Sequence, residues 1–279
     1  MLADAVRVTA FRNALAEVIE CDDRVLDAGT GPGILAAIAA EFTSGPVVGV
    51  EYFADTAAFA ASAAHASALE RVRIVQGDVT RVDIGDPPDV VVSETIGALG
   101  PEENIVGLTY ALRQRFPQVR AFVPSRLRVL AEPVVSDEAD RLTASVIGAF
   151  SRLQPGGLSF EELLPEVELA LGSQIVTTRL ADAMPAGAPH TLVEYKLGET
   201  SDADFRCTVD LGGSAANAVH LYFEAVLGPT IGLSSHRTKP FTHWSHSYVA
   251  RPSGARYATF SYKHAARRFS CRWAAGSRY

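Results

Sequence analysis

Two glutamates nine residues apart, Glu94 and Glu103, have types and spacing suited to binding a cation. Between them lie Gly97, Gly100 and Pro101, which indicate a loop rather than a helix. On a helix, nine residues would turn through about 900° and place the two carboxylates on opposite faces. A loop can fold back and direct both at one point, where they can hold a planar guanidinium through paired charge-assisted hydrogen bonds.

A glycine-rich turn near residue 30 predicts a cofactor site. A short apolar strand ends at Asp27, and Gly29, Gly31 and Gly33 lead into a helix. Glycines there let the backbone approach a ligand closely. The spacing fits neither the dinucleotide fingerprint nor a P-loop. An acid at the strand end suits an ammonium group better than a pyrophosphate, so the turn favours S-adenosylmethionine over a tight turn without a ligand.

Further acids follow the next two strands. Glu51 ends the second strand, 18 residues after Gly33, where an acid typically accepts hydrogen bonds from both ribose hydroxyls. An exposed loop carboxylate is the alternative interpretation. Asp78 and Val79 follow the third strand and are predicted to reach the adenine amine, although Gly-Asp is also ordinary turn chemistry.

Thr242, His243 and Trp244 form another candidate group. Trp244 is predicted to cover the flat face of a guanidinium, as in a cation–π contact. His243 is predicted to take part in proton removal or to pair with an acid near the N-terminus such as Asp4. Core packing is the alternative interpretation for both side chains.

The remaining histidines and the cysteines predict no metal site. Six histidines lack a companion motif and are interpreted as structural: His65, His190, His220, His236, His246 and His264. The three cysteines contain no CxxC pair, which argues against both a zinc site and a disulfide framework.

Alternating helical and strand patterns in the first half predict an α/β fold with a parallel, doubly wound sheet. After Pro124 short alternating runs predominate, which indicates antiparallel β structure. Helical patterns at Leu142–Phe150 and Phe160–Leu171 are the exceptions. We therefore predict a cofactor-binding domain over residues 1–124 and a second domain over residues 125–279.

Composition narrows the function classes. The 279 residues carry a formal net charge of −7, which disfavours general nucleic-acid binding. No apolar run approaches the roughly 20 residues that a membrane span needs. With no signal-peptide pattern at the start, we expect a cytoplasmic protein.

In this order the motifs resemble those of the protein arginine methyltransferase family. Residues 1–7 are similar to its Met-Leu-x-Asp-x-x-Arg segment, which implies that Arg7 binds the cofactor carboxylate. Glu51 matches its ribose acid. Glu94 and Glu103 match its double-glutamate loop, and residues 242–244 match its Thr-His-Trp loop, in which the histidine pairs with the acid corresponding to Asp4.

The resemblance implies a Rossmann-like S-adenosylmethionine domain followed by a β-barrel substrate domain. It also implies a helical dimerisation arm at about residues 138–172, and hence a homodimer. Catalysis would involve Glu94, Glu103 and His243, while the substrate pocket would include Trp244.

Departures from the family pattern concern the substrate pocket and the cofactor cover. Thr95 and Ile96 stand where the family has tryptophan and methionine, so we expect them to shape a different arginine pocket. Thr80 stands where the family often has a glutamate near the adenine. The family also carries a helical segment before its Met-Leu that covers the cofactor, and since this sequence starts at Met1, we expect that cover to be missing or to be supplied by other residues.

The leading hypothesis is an enzyme that methylates a guanidino nitrogen of arginine. Free L-arginine in a bacterial natural-product pathway is slightly preferred over protein arginine, because the sequence is short, acidic and alanine-rich and departs from the family at Thr95 and Ile96. A catalytically silent methyltransferase-like scaffold and a methyltransferase acting on another nucleophile are the alternatives.

Overall fold

A computed structural model describes residues 4–152, 161–178, 180 and 182–275. The chain divides into two compact units. The first comprises Met1–Leu127, Tyr195–Ala203 and Glu224–Ser234, and the second comprises Arg128–Glu194, Asp204–Phe223 and Ser235–Tyr279. Two later segments thus group with the first unit, whereas the sequence pattern assigned them to the second domain. The domain boundary at residue 125 stays a prediction.

The first unit is built on a parallel sheet, with pairing order β3-β2-β1-β4-β5. Its strands are β1 Val25–Ala28, β2 Val47–Glu51, β3 Val72–Gln76, β4 Val90–Val92 and β5 Ala121–Val123. Every residue of β1 and β4 is buried, as expected for parallel strands with both faces covered. The predicted parallel α/β fold is confirmed.

Four helices accompany this sheet: α1 Ala5–Val18, α2 Ile34–Ala39, α3 Ala54–Ala66 and α4 Ile105–Arg115, with a 3₁₀ turn at Pro101–Glu103. Leu112 and Phe116 pack with Leu26 and Phe122 in the core. Sequence reasoning missed α4. Its start is unusual, because Asn104, a common N-cap residue type, lies in the left-handed region at φ 71° and makes no side-chain cap.

The second half is antiparallel, as predicted. Its strands are β6 Arg126–Val135, β7 Val176–Thr178, β8 Met184–Pro185, β9 His190–Lys196, β10 Phe205–Asp210, β11 Ala218–Val226, β12 Gly232–Ser234, β13 His246–Ala250, β14 Tyr257–Lys263 and β15 Arg268–Ala274. One set of strands pairs in the order β7-β13-β11-β6-β8 and another in the order β10-β14-β15. Fully buried Tyr248, Phe260 and Tyr262 lie in their core.

Two helices interrupt these strands, α5 Asp137–Arg152 and α6 Leu164–Gly172, and they contact each other. A 3₁₀ turn at Glu161–Leu163 precedes α6, and another follows β14 at His264–Ala266. Both helices fall within the predicted arm, of which residues 153–160 lie outside the described part. Its role in dimerisation stays a prediction. Among the described residues, none of the helices combines the length and apolar character needed to cross a bilayer.

Candidate active site

Acidic residues gather where the parallel strands end. Asp27 is the third of the four residues of β1, and Glu51 is the last residue of β2. Glu94 follows the end of β4 by two residues. Parallel pairing of β1 with β2 and β4 puts these strand ends at one edge of the sheet. Ligands of open α/β sheets bind beyond that edge.

The two carboxylate oxygens of Asp27 differ in their hydrogen bonding. Its Oδ2 accepts hydrogen bonds from the Thr30 hydroxyl at 2.5 Å and the Ala36 amide at 2.9 Å. Its Oδ1 is buried and has no hydrogen-bond partner among the described residues. Burial raises the pKa of Asp27 to about 6, against the opposing effect of these two hydrogen bonds. A buried polar atom without a partner indicates a place for a ligand donor.

The three glycines of the turn all adopt positive φ: +80° at Gly29, +53° at Gly31 and +88° at Gly33. That backbone strongly favours glycine. A Cβ on Gly31 would meet no atom within 4 Å, which leaves open space beside the turn. The turn therefore leaves its backbone uncovered beside Gly31, and its role in binding the cofactor stays a prediction.

Glu51 ties the glycine turn to the second strand. Its Oε2 accepts from the Gly31 amide at 3.0 Å and its Oε1 from the Phe53 amide at 2.9 Å. A carboxylate oxygen has more than one lone pair, so each can accept a further hydrogen bond. Buried and fixed in this way, Glu51 suits a pair of adjacent hydroxyls such as those of a ribose.

In the loop after β3, Asp78 and Val79 already accept hydrogen bonds from other residues of the protein, which the sequence did not indicate. Asp78 Oδ1 accepts from the Thr80 amide at 2.9 Å and the Thr80 hydroxyl at 2.7 Å, and these bonds lower the pKa of Asp78. The Val79 carbonyl accepts from Arg115 at 2.9 Å. Arg115, which sequence reasoning missed because α4 was missed, thereby anchors this loop. The adenine contact of Asp78 and Val79 stays a prediction.

Arg7 lies next to the first glutamate of the pair. Its Nη1 donates to Glu94 Oε2, and the side chains are only 10% and 9% exposed. Asp4 Oδ1 caps the helix that carries Arg7 by accepting from its amide at 3.1 Å. Since a guanidinium has five N–H donors, Arg7 can bind a cofactor carboxylate as well. That cofactor role stays a prediction.

Burial governs the charge of Glu94. It raises the pKa of Glu94 to about 7, with Arg7 opposing the shift and the charge of Glu103 adding to it. Glu103 itself is exposed, at the end of the 3₁₀ turn. The predicted loop between them is confirmed, since Gly97 and Gly100 form an isolated antiparallel bridge. A second cation beside these carboxylates would offset the cost of ionising Glu94.

The two positions that differ from the family pattern lie in different surroundings. Thr95 pairs with the Ser93 hydroxyl at 3.1 Å, and its methyl group is 3.1 Å from where a Cβ on Gly29 would stand. Ile96 is only 1% exposed and packs in the core. Thr95 therefore adjoins the glycine turn, whereas Ile96 is a core residue. Their substrate roles stay predictions.

His243 and Trp244 belong to the second unit. The Trp244 ring is 4% exposed and meets the Phe223 ring edge-on at 4.9 Å. His243 is exposed, and its ring centre is 4.2 Å from that of Trp244. Core packing thus accounts for much of the Trp244 surface. The predicted roles of both residues, and the pairing of His243 with Asp4, stay predictions.

Two of the six histidines interpreted as structural lie beside a buried acid in the fold. Glu132 Oε2 lies 2.9 Å from His236 Nε2 and 3.7 Å from His220 Nδ1. These three residues have the donor types of a metal site. However, the Arg237 guanidinium already binds the same oxygen at 3.0 Å and supplies the compensating positive charge. The group is therefore a buried ion pair between Glu132 and Arg237 that is flanked by two histidines. Its members are distant in sequence and come together only in the folded chain.

Comparisons with known proteins agree with this geometry. Residues 25–113 match a family model described as a methyltransferase domain. An arginine N(omega)-methyltransferase of Streptomyces achromogenes subsp. streptozoticus is 28% identical over 261 residues, which cover 89% of this chain and 69% of the relative. Protein arginine N-methyltransferase PRMT10 of Arabidopsis thaliana is 30% identical over 155 residues, covering 54% and 40%. The chain spans 37% to 69% of the length of the first curated relatives it matches.

Solved structures share the fold. The Trypanosoma brucei PRMT1 enzyme-prozyme heterotetrameric complex with AdoHcy superposes with a TM-score of 0.75 at 20% identity, over 94% of this chain and 86% of that chain. At this level of identity the likeness concerns the fold alone: a Rossmann-like sheet followed by β-barrel structure.

The raised pKa of Glu94 has a consequence for stability. Between its ordinary value of 4.5 and about 7, the folded protein binds this proton more tightly than the unfolded chain does. The free energy of unfolding should therefore fall as pH rises through this range, by up to about 3 kcal/mol from this group. Urea unfolding at pH 5, 6, 7 and 8 measures it.

The matched control is Glu94→Gln, which cannot ionise. The free energy of unfolding of the wild type minus that of the variant should decrease from pH 5 to about 7 and then level off. A difference that stays constant across this range would show that Glu94 ionises as an ordinary glutamate.

Proposed function

We propose that this chain, a class I S-adenosylmethionine-dependent methyltransferase similar to the protein arginine methyltransferases, methylates a guanidino nitrogen of arginine. The observation that supports the acceptor most directly is Glu94, a buried acid with a raised pKa in the same loop as Glu103. A buried carboxylate is costly unless a cation pairs with it, and Arg7 offsets that cost only in part.

The cofactor supplies an electrophilic methyl group on its sulfonium. In the proposal, the free Oδ1 of Asp27 accepts from the cofactor's amino group and the Glu51 carboxylate accepts from its ribose hydroxyls. Arg7 binds its carboxylate, while the open face of Gly31 admits the ligand against bare backbone. The unpartnered oxygen of Asp27 and the space beside Gly31 are the observations that fit this ligand.

The two glutamates then hold the acceptor. Paired hydrogen bonds from the guanidinium to Glu94 and Glu103 would fix its plane and draw positive charge toward the bound nitrogens. The third nitrogen is left better able to attack, and its alignment supplies much of the rate enhancement. The pKa of a guanidinium lies far above neutral pH, which makes deprotonation before attack costly, so the proton leaves during or after transfer. His243 is the proposed participant in that proton removal.

We propose free L-arginine as the substrate. The Streptomyces relative, named an arginine N(omega)-methyltransferase, is similar over 89% of this chain. Thr95, smaller than the family's tryptophan, also gives the pocket a different wall. We propose that such an enzyme acts in the bacterial cytoplasm, in the biosynthesis of a natural product. Protein arginine is the second candidate, favoured by the similarity to PRMT10 over 54% of this chain.

The two remaining hypotheses fit the site less well. A catalytically silent scaffold would have no use for Glu94, whose burial without a cationic substrate costs stability. A methyltransferase acting on a neutral nucleophile would leave Arg7 to offset the cost of ionising Glu94 without help from the substrate.

Incubation with isotopically labelled S-adenosylmethionine tests the acceptor and its source. The protein is incubated in parallel with free L-arginine and with an arginine-rich peptide, and the products are identified by mass spectrometry. We expect labelled methylarginine from the free amino acid, and none from Glu103→Gln, which lacks one of the two charges that hold the guanidinium.

Transfer only to the peptide would replace free arginine with protein arginine. Transfer to neither would refute the proposed reaction. Calorimetric titration of Glu103→Gln with S-adenosylmethionine is the control that its cofactor site is intact.

We also propose that the chain forms a homodimer through α5 and α6. Leu142 on α5 and Leu169 on α6 are 39% and 45% exposed, and apolar side chains exposed on both helices of the arm suit an interface. Sedimentation should give a dimer for the wild type and a monomer for the double variant Leu142→Asp and Leu169→Asp. The control is Val226→Asp, a 38% exposed apolar residue outside these helices, which should leave the dimer intact. A wild type that sediments as a monomer would contradict the proposal.

A further inference from the structure

The loop that follows β4, residues 94–104, contains three acids: Glu94 and the adjacent pair Glu102 and Glu103. The structure gives these neighbours opposite environments. Glu103 is exposed, whereas the Oε2 atom of Glu102 is fully buried. They therefore cannot serve the same purpose, although the sequence alone does not distinguish them.

Glu102 folds back onto its own loop. Its Oε1 accepts from the Leu99 amide at 2.9 Å. Beneath it, the Gly97 and Gly100 amides each donate to the other's carbonyl, at 2.9 Å and 3.0 Å. A Cβ on Gly97 would lie 2.5 Å from Glu102 Oε2 and 2.8 Å from the Cβ of Glu102. The side chain of Glu102 thus fills the space that the missing side chain of Gly97 leaves.

Asn104 makes a matching contact on the other side of Glu103. It adopts φ 71° and ψ 20°, and its amide donates to the Pro101 carbonyl at 3.0 Å. Its Oδ1 is buried without a hydrogen-bond partner among the described residues, and a Cβ on Gly107 would lie 2.5 Å from that atom. Asn104 is therefore packed against the first turn of α4 at a position where only glycine leaves room.

We infer that Glu102 and Asn104 are positioning residues that clamp Glu103 from both sides and so fix where its carboxylate meets the guanidinium. Each neighbour of Glu103 folds inward onto a glycine, Gly97 or Gly107, and Glu103 is left facing outward. The inference rests on the proposed function. It adds that Glu103 binds the substrate while Glu102 maintains the conformation of the loop.

The hydrogen bonding of Glu102 fits this structural role. Burial raises the pKa of Glu102, and the charge of Glu103 contributes to this shift. The hydrogen bond from the Leu99 amide to Oε1 requires an acceptor oxygen at this place and does not require a charge. Glutamine keeps that acceptor, which separates Glu102 from Glu103: the clamp needs a carbonyl-type acceptor, and the substrate needs a charge.

The test compares matched variants in the methyl-transfer assay. Glu102→Gln should keep kcat within about 3-fold of the wild type, because it preserves the acceptor, whereas Glu103→Gln should lose at least about 100-fold. Glu102→Ala and Gly97→Ala should lower kcat by about 10- to 100-fold, as a displacement near 1 Å does. Their affinity for S-adenosylmethionine should be unchanged, which also verifies that they fold.

Gly107→Ala gives a prediction opposite to the usual one. Alanine in place of glycine inside a helix normally stabilises it. Here the new Cβ would displace Asn104, so kcat should fall while helix content is kept. Normal kcat in Gly107→Ala together with normal kcat in Gly97→Ala would refute the clamp, as would Glu102→Gln being as inactive as Glu103→Gln.

Hydrogen exchange supplies a readout that does not depend on activity. The Leu99 amide should be protected in the wild type and in Glu102→Gln, and should exchange at least about 10-fold faster in Glu102→Ala. Equal exchange in all three would overturn the inference. If the wild type transfers no methyl group to arginine, the proposed function fails, while the exchange result still decides whether the clamp exists.

Discussion

The account depends on buried negative charge at the edge where the parallel strands end. Asp27, Glu51 and Glu94 are buried or nearly so, and Arg7 is the cation that contacts this group. Ionised carboxylates are stable in such a place only when hydrogen bonds or cations compensate them. Glu51 is compensated by two backbone amides, whereas Asp27 keeps a buried oxygen without a partner and Glu94 has a raised pKa. This arrangement supports the cationic ligands proposed for the edge: an ammonium and sulfonium from the cofactor, and a guanidinium from the acceptor.

Much of this edge is predictable from the sequence because its signals are local. β-branched runs mark the strands, and the turn of Gly29, Gly31 and Gly33 requires the positive φ angles that only glycine adopts readily. The acids stand at fixed distances from these signals. What the sequence did not reveal depends on contacts between distant segments or on an unusual helix start. Helix α4 begins after a left-handed Asn104 without a side-chain cap, so Arg115 and its bond to the Val79 carbonyl were missed with it.

The same limit applies in the second half. Glu132 on β6 lies 88 residues before His220 and 104 residues before His236, and no spacing rule connects these three positions. Glu102 and Glu103 look alike in sequence, but only the folded loop shows that one carboxyl is buried and the other exposed. Residue types were therefore sufficient to predict the proposed chemistry. The different environments of Glu102 and Glu103 depend on how the loop packs and could not be predicted from them.

Calorimetric titration with arginine and citrulline tests the central claim most directly. Citrulline has nearly the same shape as arginine but carries a neutral urea in place of the guanidinium. With S-adenosylhomocysteine bound, the protein should bind L-arginine at least about 100-fold more tightly than L-citrulline, since each charge-assisted hydrogen bond is roughly twice as strong as a neutral one. A peptide containing either residue serves the same comparison if the substrate is a protein. Equal affinity for the two side chains would show that this acidic edge is not a guanidinium site.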